Sequence, residues 1–395
     1  MKALVLGYGR SGKAAEALLK TQGYEVVVLD GEDEFEQKTG WVDVAVVSPG
    51  IALTHPWIAA CRAHGIRLES ELQLGCEELK RRGWKLLAVT GSKGKSSVVK
   101  LVAEAIKLSG GHAVPCGNFG TPVSEVALSA PTSSSPWAVV EVSSFMMETT
   151  DLPRDTFEAA AILNLQEDHL DRHGSVEAYH ALKRKLLTMA KVSGSAVRDR
   201  NVEYPLLAGS YFDNPVLAGN GAYAIDLMRV AGLSEDTIAA AFRAFKPLPH
   251  RMNLVAESSG VRYIDDSKAT SLAALEAGVK MVPAGLLRPQ NVRLIAGGLP
   301  KGDDPKSVLS ILTKRVKKVY LIGQSAEMFA SAWKVAVDCE VCGTMERAVA
   351  GVMREAEKGE TVLLSPGAAS YDQFRSFEER GEVFANLVKE IKDEK

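Results

Sequence analysis

Thr90-Gly-Ser-Lys-Gly-Lys-Ser96 directly follows the apolar run Leu86-Leu-Ala-Val89 and leads into a helical pattern from about Val98 to Leu108. A strand, a glycine-rich loop and a helix in this order are typical of a phosphate-binding loop, because glycines let backbone N–H groups surround an anion and the lysine neutralises it. Position 89 is valine, so the loop is shorter than a strict Walker A motif. The stretch predicts a parallel α/β domain that binds a nucleotide, with Ser96 placed to contact Mg²⁺.

A second glycine motif, Gly7-x-Gly9-x-x-Gly12, lies between a predicted strand at Lys2 to Leu6 and a helix ending near Lys20. The next predicted strand ends at Asp30, so the first residues form a strand-helix-strand unit that suits a nucleotide or a nucleotide-sugar. The alternative for this motif alone is a tight turn without a ligand. Further strand runs at 42–47 and 66–68 continue the pattern to about residue 80.

The pattern of strands and helices predicts three α/β domains in series. A chain of 395 residues is long enough for two or three domains, each with its own core. Arg81-Arg82-Gly83 and Pro247-Leu-Pro249 interrupt the pattern. The predicted domains are a Rossmann-like domain at 1–83, a central ATP-binding domain of phosphate-loop type at 84–246, and a second Rossmann-like domain at 247–395.

Composition excludes several classes of function. Forty-seven Lys and Arg against 49 Asp and Glu leave a net charge of −2, so there is no overall positive field to hold nucleic acid or an anionic membrane. Five scattered cysteines do not form a disulfide framework. Cys339-x-x-Cys342 overlaps an alternating stretch, 335–341, which favours a strand over a zinc or thioredoxin-like site. No apolar run approaches a membrane span, and we expect a cytoplasmic protein.

Three residues of the central domain are candidates for chemistry. Glu141 ends the predicted strand 137–142, at the sheet edge where α/β proteins bind ligands, although strand-end acids are also common there. His169 follows the next apolar strand and is either a ligand or a solvated loop histidine. Lys183 falls within the apolar stripe of its helix, so it needs a partner or a changed charge unless its stem carries the amine out to solvent.

In the last domain, polar loops follow two predicted strands. Asp265-Asp-Ser-Lys-Ala-Thr270 follows the strand at 261–264, and the segment 364–374 follows the strand at 361–364. Arg251 comes just after Pro249-His250 and suits a phosphate contact.

Taken in order, these motifs resemble those of the Mur ligases over nearly the whole chain. The matching stretches are 48–51, 90–96, 117–120, 141–145, 167–172, 248–251, 266–270 and 364–377. The resemblance implies an ATP-dependent amide ligase of peptidoglycan precursor synthesis, which adds D-glutamate to UDP-N-acetylmuramoyl-L-alanine through an acyl phosphate. It implies a monomer with small-molecule substrates and with neither nucleic acid nor membrane insertion.

The resemblance also implies roles for individual residues. Lys95, Glu141, His169, Lys183 and Lys268 would carry the chemistry, with two Mg²⁺ ions at Ser96, Glu141, His169 and a carbamylated Lys183. ATP would contact Gly91, Ser92, Lys93, Gly94, Lys95, Ser96, Ser97, Asn220, Arg251 and Asp266. The UDP-sugar would contact Arg10, Ser11, Asp30, Ser48, Gly50 and Asn118, and D-glutamate would contact Thr270, Lys301, Ser370 and Phe377.

The chain departs from the family pattern at several positions. Lys93 stands where the family loop usually has Asn, Met146 where it has Gln, and Val216-Leu217 where it has a His-Asn pair; the stretch between Lys185 and Asn220 is short. Two other functions therefore remain open from sequence: a catalytically weakened homologue that binds or regulates, and an NAD-dependent oxidoreductase that uses the first glycine motif.

Overall fold

The computed structural model describes residues 1–33, 35, 42–130, 134–195, 205–285 and 289–393. They form two compact units, one comprising Met1–Asp213 with Leu217–Phe245 and the other Asn214–Val216 with Lys246–Lys395. The first unit contains two parallel sheets, and the second unit contains one largely parallel sheet. An α/β protein with parallel sheets is thereby confirmed, and the domain boundaries at 83/84 and 246/247 stay predictions.

The first sheet has four parallel strands in the order β2-β1-β3-β4. Its strands are β1 Lys2–Leu6, β2 Glu25–Leu29, β3 Val44–Val47 and β4 Arg67–Ser70, and its helices are Arg10–Thr21, Pro56–Ala63 and Glu71–Arg81. The start of the first helix lies so close to β1 that a Cβ on Gly12 would be 2.0 Å from the Gly7 carbonyl oxygen. Only glycine fits there, which explains the third glycine of the motif.

The second sheet has five parallel strands in the order β6-β7-β5-β8-β9. The strands are β5 Lys85–Thr90, β6 Ala113–Gly117, β7 Trp137–Glu141, β8 Phe157–Ile162 and β9 Ala190–Ser195. The α-helices are Lys95–Leu108, Val123–Leu128, Ser144–Met147, Leu170–His173, Val176–Lys185, Ala218–Val230 and Glu235–Ala244, and the 3₁₀ helices are Leu186–Met189 and Pro205–Leu207. Because β5 lies between β7 and β8, the loops that leave these three strands meet at one sheet edge.

The two sheets of the first unit share a hydrophobic core, since one buried cluster contains Val46 of the first sheet and Val140 of the second. Helix Glu71–Arg81 packs closely on helix Val123–Leu128, where a Cβ on Gly75 would lie 2.6 Å from the Ser124 nitrogen. This contact joins the two sheets into one body.

The sheet of the second unit has the order β10-β11-β15-β12-β13-β14, with β10 and β11 antiparallel and the other neighbours parallel. Its strands are β10 Asn253–Ser258, β11 Val261–Asp265, β12 Val292–Gly297, β13 Val316–Ile322, β14 Asp338–Gly343 and β15 Thr361–Leu364. Its α-helices are Leu272–Met281, Leu309–Arg315, Ala326–Trp333, Met345–Glu355 and Phe377–Asp393, with a 3₁₀ helix at Pro305–Val308. The polar loops after β11 and β15 are neighbours because these strands pair.

Two details differ from the sequence expectations. The strand expected at 335–341 is Asp338–Gly343, because the Ala336 and Val337 nitrogens still donate to the Trp333 carbonyl and prolong the preceding turn. The weak pattern between 191 and 215 contains most of β9 and a short 3₁₀ helix, while residues 196–204 lie outside the described residues. Among the described helices, none is long and apolar enough to cross a bilayer.

Candidate active site

The loop between β5 and helix Lys95–Leu108 has the geometry of a phosphate cradle. Gly91 has φ 149° and Gly94 has φ 83°, both in the region that favours glycine. A Cβ on Gly94 would lie 2.1 Å from the Asn220 side-chain nitrogen. Among the described residues no side chain caps the helix start, as expected of a helix N-terminus that receives an anion.

Two lysines converge on one carbonyl oxygen of this loop. The Gly91 oxygen accepts hydrogen bonds from Lys95 Nζ at 2.8 Å and Lys183 Nζ at 3.1 Å. Lys183 is only 2% exposed, so its amine does not reach solvent along its stem, and Nζ lies 4.5 Å from the centre of the Tyr179 ring. Burial, helped by the charge of Lys95, lowers the pKa of Lys183 to about 7. Its neutral amine is therefore well populated near neutral pH.

The two carboxylate oxygens of Glu141 differ in their hydrogen bonding to the described residues. The residue is 2% exposed at the end of β7, and its Oε1 accepts from Asn118 Nδ2 at 2.7 Å. Within the described residues, Oε2 is buried and has no hydrogen-bond partner. A buried carboxylate oxygen is unfavourable unless a donor or cation satisfies it, and Mg²⁺ prefers such oxygen ligands. The Glu141 carboxylate therefore suits a Mg²⁺ ion, and Ser96 at the start of the helix after the phosphate loop stays its predicted second ligand.

His169 lies beside the loop, joined to it through Asp168. It has φ 53°, its side chain is about half exposed, and its ring packs 4.9 Å from the Phe145 ring. Asp168 Oδ2 lies 3.7 Å from His169 Nε2 and 3.8 Å from Lys93 Nζ. In the described part of the chain, no hydrogen bond or ion pair joins His169 directly to Glu141 or Lys183.

Asn164, which the sequence analysis did not select, holds the loop from β8. Its Oδ1 accepts from the Lys93 nitrogen at 2.8 Å, and its Nδ2 donates to the Lys93 oxygen at 2.9 Å and to Asn220 Oδ1 at 3.3 Å. Asn220, which is 5% exposed, is thereby brought against the loop. A polar residue just past a buried strand is the signal that could have identified Asn164.

Tyr179 was also missed as a site residue, because its ring fits the apolar stripe of its helix. Its hydroxyl is 3.2 Å from Ser92 Oγ, and Ser92 Oγ in turn accepts from the Gln166 nitrogen at 3.0 Å. The ring therefore supports both the loop and the Lys183 amine.

In the first sheet, the residues expected to hold a UDP-sugar surround the glycine motif. Ser48 Oγ donates to the Gly7 oxygen at 2.7 Å, and Asp30 Oδ1 accepts from the Tyr8 nitrogen at 3.0 Å. Arg10 reaches the neighbouring sheet, where its guanidinium donates to the Gly120 oxygen at 2.9 Å. A cavity of about 500 Å³ opens beside Asp30, lined by Gly31, Glu32, Asp33, Phe35, His55, Pro56, Trp57 and Ala60.

In the second unit, Asp266 and Lys268 follow β11 and carry unusual proton affinities. Asp266 Oδ2 accepts from Ser365 Oγ at 2.9 Å, and burial raises the pKa of Asp266 to about 7. Lys268 Nζ lies 3.8 Å from the centre of the Phe377 ring. Burial and the charge of Arg251 lower the pKa of Lys268. Within the second unit, four predicted site residues thus interact electrostatically. The charge of Arg251 acts on both Asp266 and Lys268, and Lys268 lies over the Phe377 ring.

The expected acceptor residues lie on the adjoining loops. Lys301 Nζ lies within hydrogen-bond distance, 3.3 Å, of Thr270 Oγ1, and Ser370 is buried. Arg380, which sequence reasoning missed, is completely buried and donates to Ser267 and to the carbonyls of Ala368 and Ala369. Its hydrogen bonds connect the loops after β11 and β15. Burial lowers the pKa of Arg380 to about 10.

Matches to two family models show that the chain belongs to the Mur ligase family, whose members are ATP-using ligases. The family models for the Mur ligase middle domain and for the Mur ligase glutamate ligase domain match residues 89–207 and 250–367. Mur ligases use ATP and Mg²⁺. The resemblance inferred from the motifs is therefore confirmed, and the oxidoreductase alternative has no support among these matches.

The chain is similar throughout its length to curated D-glutamate ligases. The UDP-N-acetylmuramoylalanine--D-glutamate ligase of Gloeobacter violaceus is 34% identical over 97% of this chain and 98% of its own, and that of Aquifex aeolicus is 33% identical over 98% of each. The fold is similar to the UDP-N-acetylmuramate-alanine ligase of Thermotoga maritima, with TM-score 0.60, 15% identity and full coverage of both chains. The MurF ligase of the same organism in complex with ADP gives TM-score 0.61 at 15% identity, covering 98% of this chain and 95% of that one.

Proposed function

We propose that this protein joins D-glutamate to UDP-N-acetylmuramoyl-L-alanine with conversion of ATP to ADP and phosphate. The observation that carries the proposal is the group at the carboxyl ends of β5 and β7. Two lysines meet there on the Gly91 oxygen, and one buried oxygen of Glu141 has no donor among the described residues. The names of the curated relatives support this choice of substrates.

The reaction has two steps. The alanine carboxylate attacks the γ-phosphorus of ATP, and the bond from that phosphorus to the oxygen that bridges to the β-phosphate breaks. ADP departs, and the substrate becomes an acyl phosphate. The D-glutamate amine then attacks the acyl carbon and loses a proton, and phosphate leaves from the tetrahedral intermediate. Both steps depend on positioning and on neutralisation of phosphoryl charge.

The roles proposed for individual side chains follow from their charges. Lys95 neutralises the outer phosphates, Asn220 and Arg251 hold the adenine and phosphate ends of ATP, and Lys268 serves the transferred phosphoryl group. Mg²⁺, when bound, supplies positive charge to the triphosphate oxygens; Ser96 and Glu141 would hold one ion, and His169 with a modified Lys183 a second.

Lys183 is proposed to react with CO₂. Its neutral amine attacks CO₂, one proton is lost, and a carbamate replaces the ammonium group. The lowered pKa favours this reaction, since only the unprotonated amine is nucleophilic. A carbamate also relieves the repulsion between Lys183 and Lys95 and provides oxygen donors that suit Mg²⁺.

An acceptor panel tests the substrate. With UDP-N-acetylmuramoyl-L-alanine and ATP, we expect phosphate release with D-glutamate to exceed that with L-lysine or meso-diaminopimelate by about tenfold or more, because Lys301 attracts a second carboxylate and repels a second ammonium. Equal rates with L-lysine would reject D-glutamate as the acceptor. If no amino acid gives ATP-dependent product formation, the result would instead support a weakened homologue that only binds.

Lys93→Asn, which restores the usual family residue, is expected to weaken ATP binding several-fold, corresponding to about 1 kcal/mol for a partly exposed charge. In the structure, Asn164 holds the Lys93 backbone at both its nitrogen and its oxygen, so the substitution removes the charge and leaves the loop in place. Calorimetric titration with ATP and excess Mg²⁺ measures the effect, which should shrink at high salt.

Lys107→Asn is the matched control for Lys93, because Lys107 is also exposed but lies at the far end of the helix that follows the loop. It should leave ATP affinity unchanged. Equal affinities of wild type and Lys93→Asn at low salt would show that Lys93 only pairs with Asp168.

We further propose that the protein acts in the cytoplasm, where its ATP substrate is available, as a monomer. Its partners are the three small-molecule substrates.

A further inference from the structure

Arg172 joins the loop 48–51 of the first sheet to the second sheet within the same unit. Its Nη2 donates to the carbonyl oxygens of Ile51 at 2.7 Å and Pro49 at 3.3 Å. The same guanidinium forms a two-point contact with Glu148, from Nε at 3.0 Å and from Nη2 at 2.6 Å. Both side chains are largely buried, with 15% and 7% exposed. These contacts make Arg172 a buried bridge between two loops.

The other end of the bridge reaches the segment that carries the catalytic candidates. Glu148 Oε1 is 3.4 Å from His173 Nδ1, and His173 Nε2 is 3.0 Å from Ser144 Oγ. The guanidinium carbon of Arg172 lies 5.0 Å above the ring of Phe145, on which His169 also packs. Arg172 and His173 lie in the short helix Leu170–His173, which directly follows its N-cap residue His169. The position of His169 is therefore tied to that of the loop 48–51.

From this arrangement we infer that Arg172 is a positioning residue for the UDP-sugar. The loop carbonyls that it binds flank Gly50, and Ser48 lies at the start of the same loop, so the guanidinium sets the shape of a surface expected to contact the UDP-sugar. The inference rests on the proposed function, because it takes UDP-N-acetylmuramoyl-L-alanine as the ligand. It adds a residue whose effect on the substrate is exerted through the loop that it binds.

Only a guanidinium satisfies all these partners together. The guanidinium is planar, and its N–H donors point in fixed directions. Nε and Nη2 donate to the Glu148 carboxylate, and Nη2 also donates to the loop carbonyls. A lysine ammonium at this position keeps the charge opposite Glu148 but cannot reproduce the two-point contact while also reaching both carbonyls. Arg172→Lys therefore separates charge from geometry.

We expect Arg172→Ala to raise the KM for UDP-N-acetylmuramoyl-L-alanine at least about tenfold, with the KM for ATP within about twofold of wild type. Arg172→Lys should raise the first KM by a smaller but measurable factor. A purely structural role would lower the fraction of folded enzyme and thus kcat, and would leave both KM values unchanged. Steady-state kinetics with each substrate varied in turn distinguishes the two roles.

Arg229→Ala is the matched control. Arg229 also forms a two-point contact with a glutamate, Glu235, at 2.8 and 3.0 Å, and that pair lies outside the loops of the site. Its loss should leave both KM values unchanged. Circular dichroism melting of each variant establishes the folded fraction, and Arg172→Lys serves where Arg172→Ala does not fold.

The outcomes separate this inference from the proposed function. If wild type forms no product with the UDP-sugar, the proposed function fails. If wild type is active and folded Arg172→Lys and Arg172→Ala keep the wild-type KM for the UDP-sugar, the inference about Arg172 is overturned. A rise of the same factor in both KM values would also overturn it, because it would show a general distortion of the unit.

Discussion

Lys95→Ala is expected to lower kcat by about 100-fold or more, because it removes a positive charge that is placed to neutralise phosphoryl oxygens in the transition state. The amine donates to the carbonyls of Gly91 and Ser92 within the loop, and the residue is partly exposed, so its removal should alter thermal stability little. Phosphate release under saturating substrates measures the rate, and circular dichroism melting measures the fold.

The control for Lys95 is Lys107→Ala, which removes the same charge from an exposed position of the same helix. It should keep the wild-type rate. If Lys95→Ala retains more than about a tenth of wild-type kcat, Lys95 is not the lysine that neutralises the transferred phosphoryl group.

Lys183→Ala is expected to abolish most activity, and acetate or formate at high concentration should restore part of it. Alanine removes the amine that would form the carbamate, and a small carboxylate can occupy the vacated space and replace the lost anionic oxygens. The burial of Lys183 against Tyr179 makes such a space available only to a small anion. Rates are measured with each carboxylate at constant ionic strength, with chloride as the control.

The carbamate also predicts a pH dependence with a definite sign. Wild-type enzyme in CO₂-depleted buffer should lose activity and regain it when bicarbonate is added. Since the pKa of Lys183 is about 7, the amine is mainly protonated below pH 7 and mainly neutral above it. At equal concentrations of dissolved CO₂, recovery should therefore be faster at pH 8 than at pH 6, and the bicarbonate added is adjusted at each pH to keep dissolved CO₂ the same. Wild-type-like turnover of Lys183→Ala in CO₂-depleted buffer would reject the carbamate and the second metal site with it.

Parts of the site could be predicted from sequence because their geometry is local. The loop at 91–97 follows from glycine spacing after a strand, and the inward direction of Lys183 follows from helical periodicity. Neither pattern indicates which groups contact the Lys183 amine. That the Lys183 amine lies on the Gly91 oxygen depends on contacts between residues 92 positions apart in the chain.

Other residues gave a weak sequence signal of their role or none. Asn164 and Tyr179 look like an ordinary strand-end amide and a core aromatic residue, and Arg172 looks like a charged residue in a short polar stretch. Their partners come from other strands and helices, and sequence periodicity carries no information about such distant pairs. Only the packing of the two sheets of the first unit shows that Arg172 reaches the loop 48–51.

The sequence by itself determined the α/β class, the phosphate loop and the family, since strand-loop-helix order and glycine conformation are local properties that motifs record directly. The tertiary structure alone decided the strand order that places β5 between β7 and β8. With that order came the burial of Glu141, one of whose oxygens has no hydrogen-bond partner in the part of the chain that the structure describes. The physical reason is that burial and charge act through space. A carboxylate or an amine acquires its unusual proton affinity and its need for a partner only when distant segments exclude water around it.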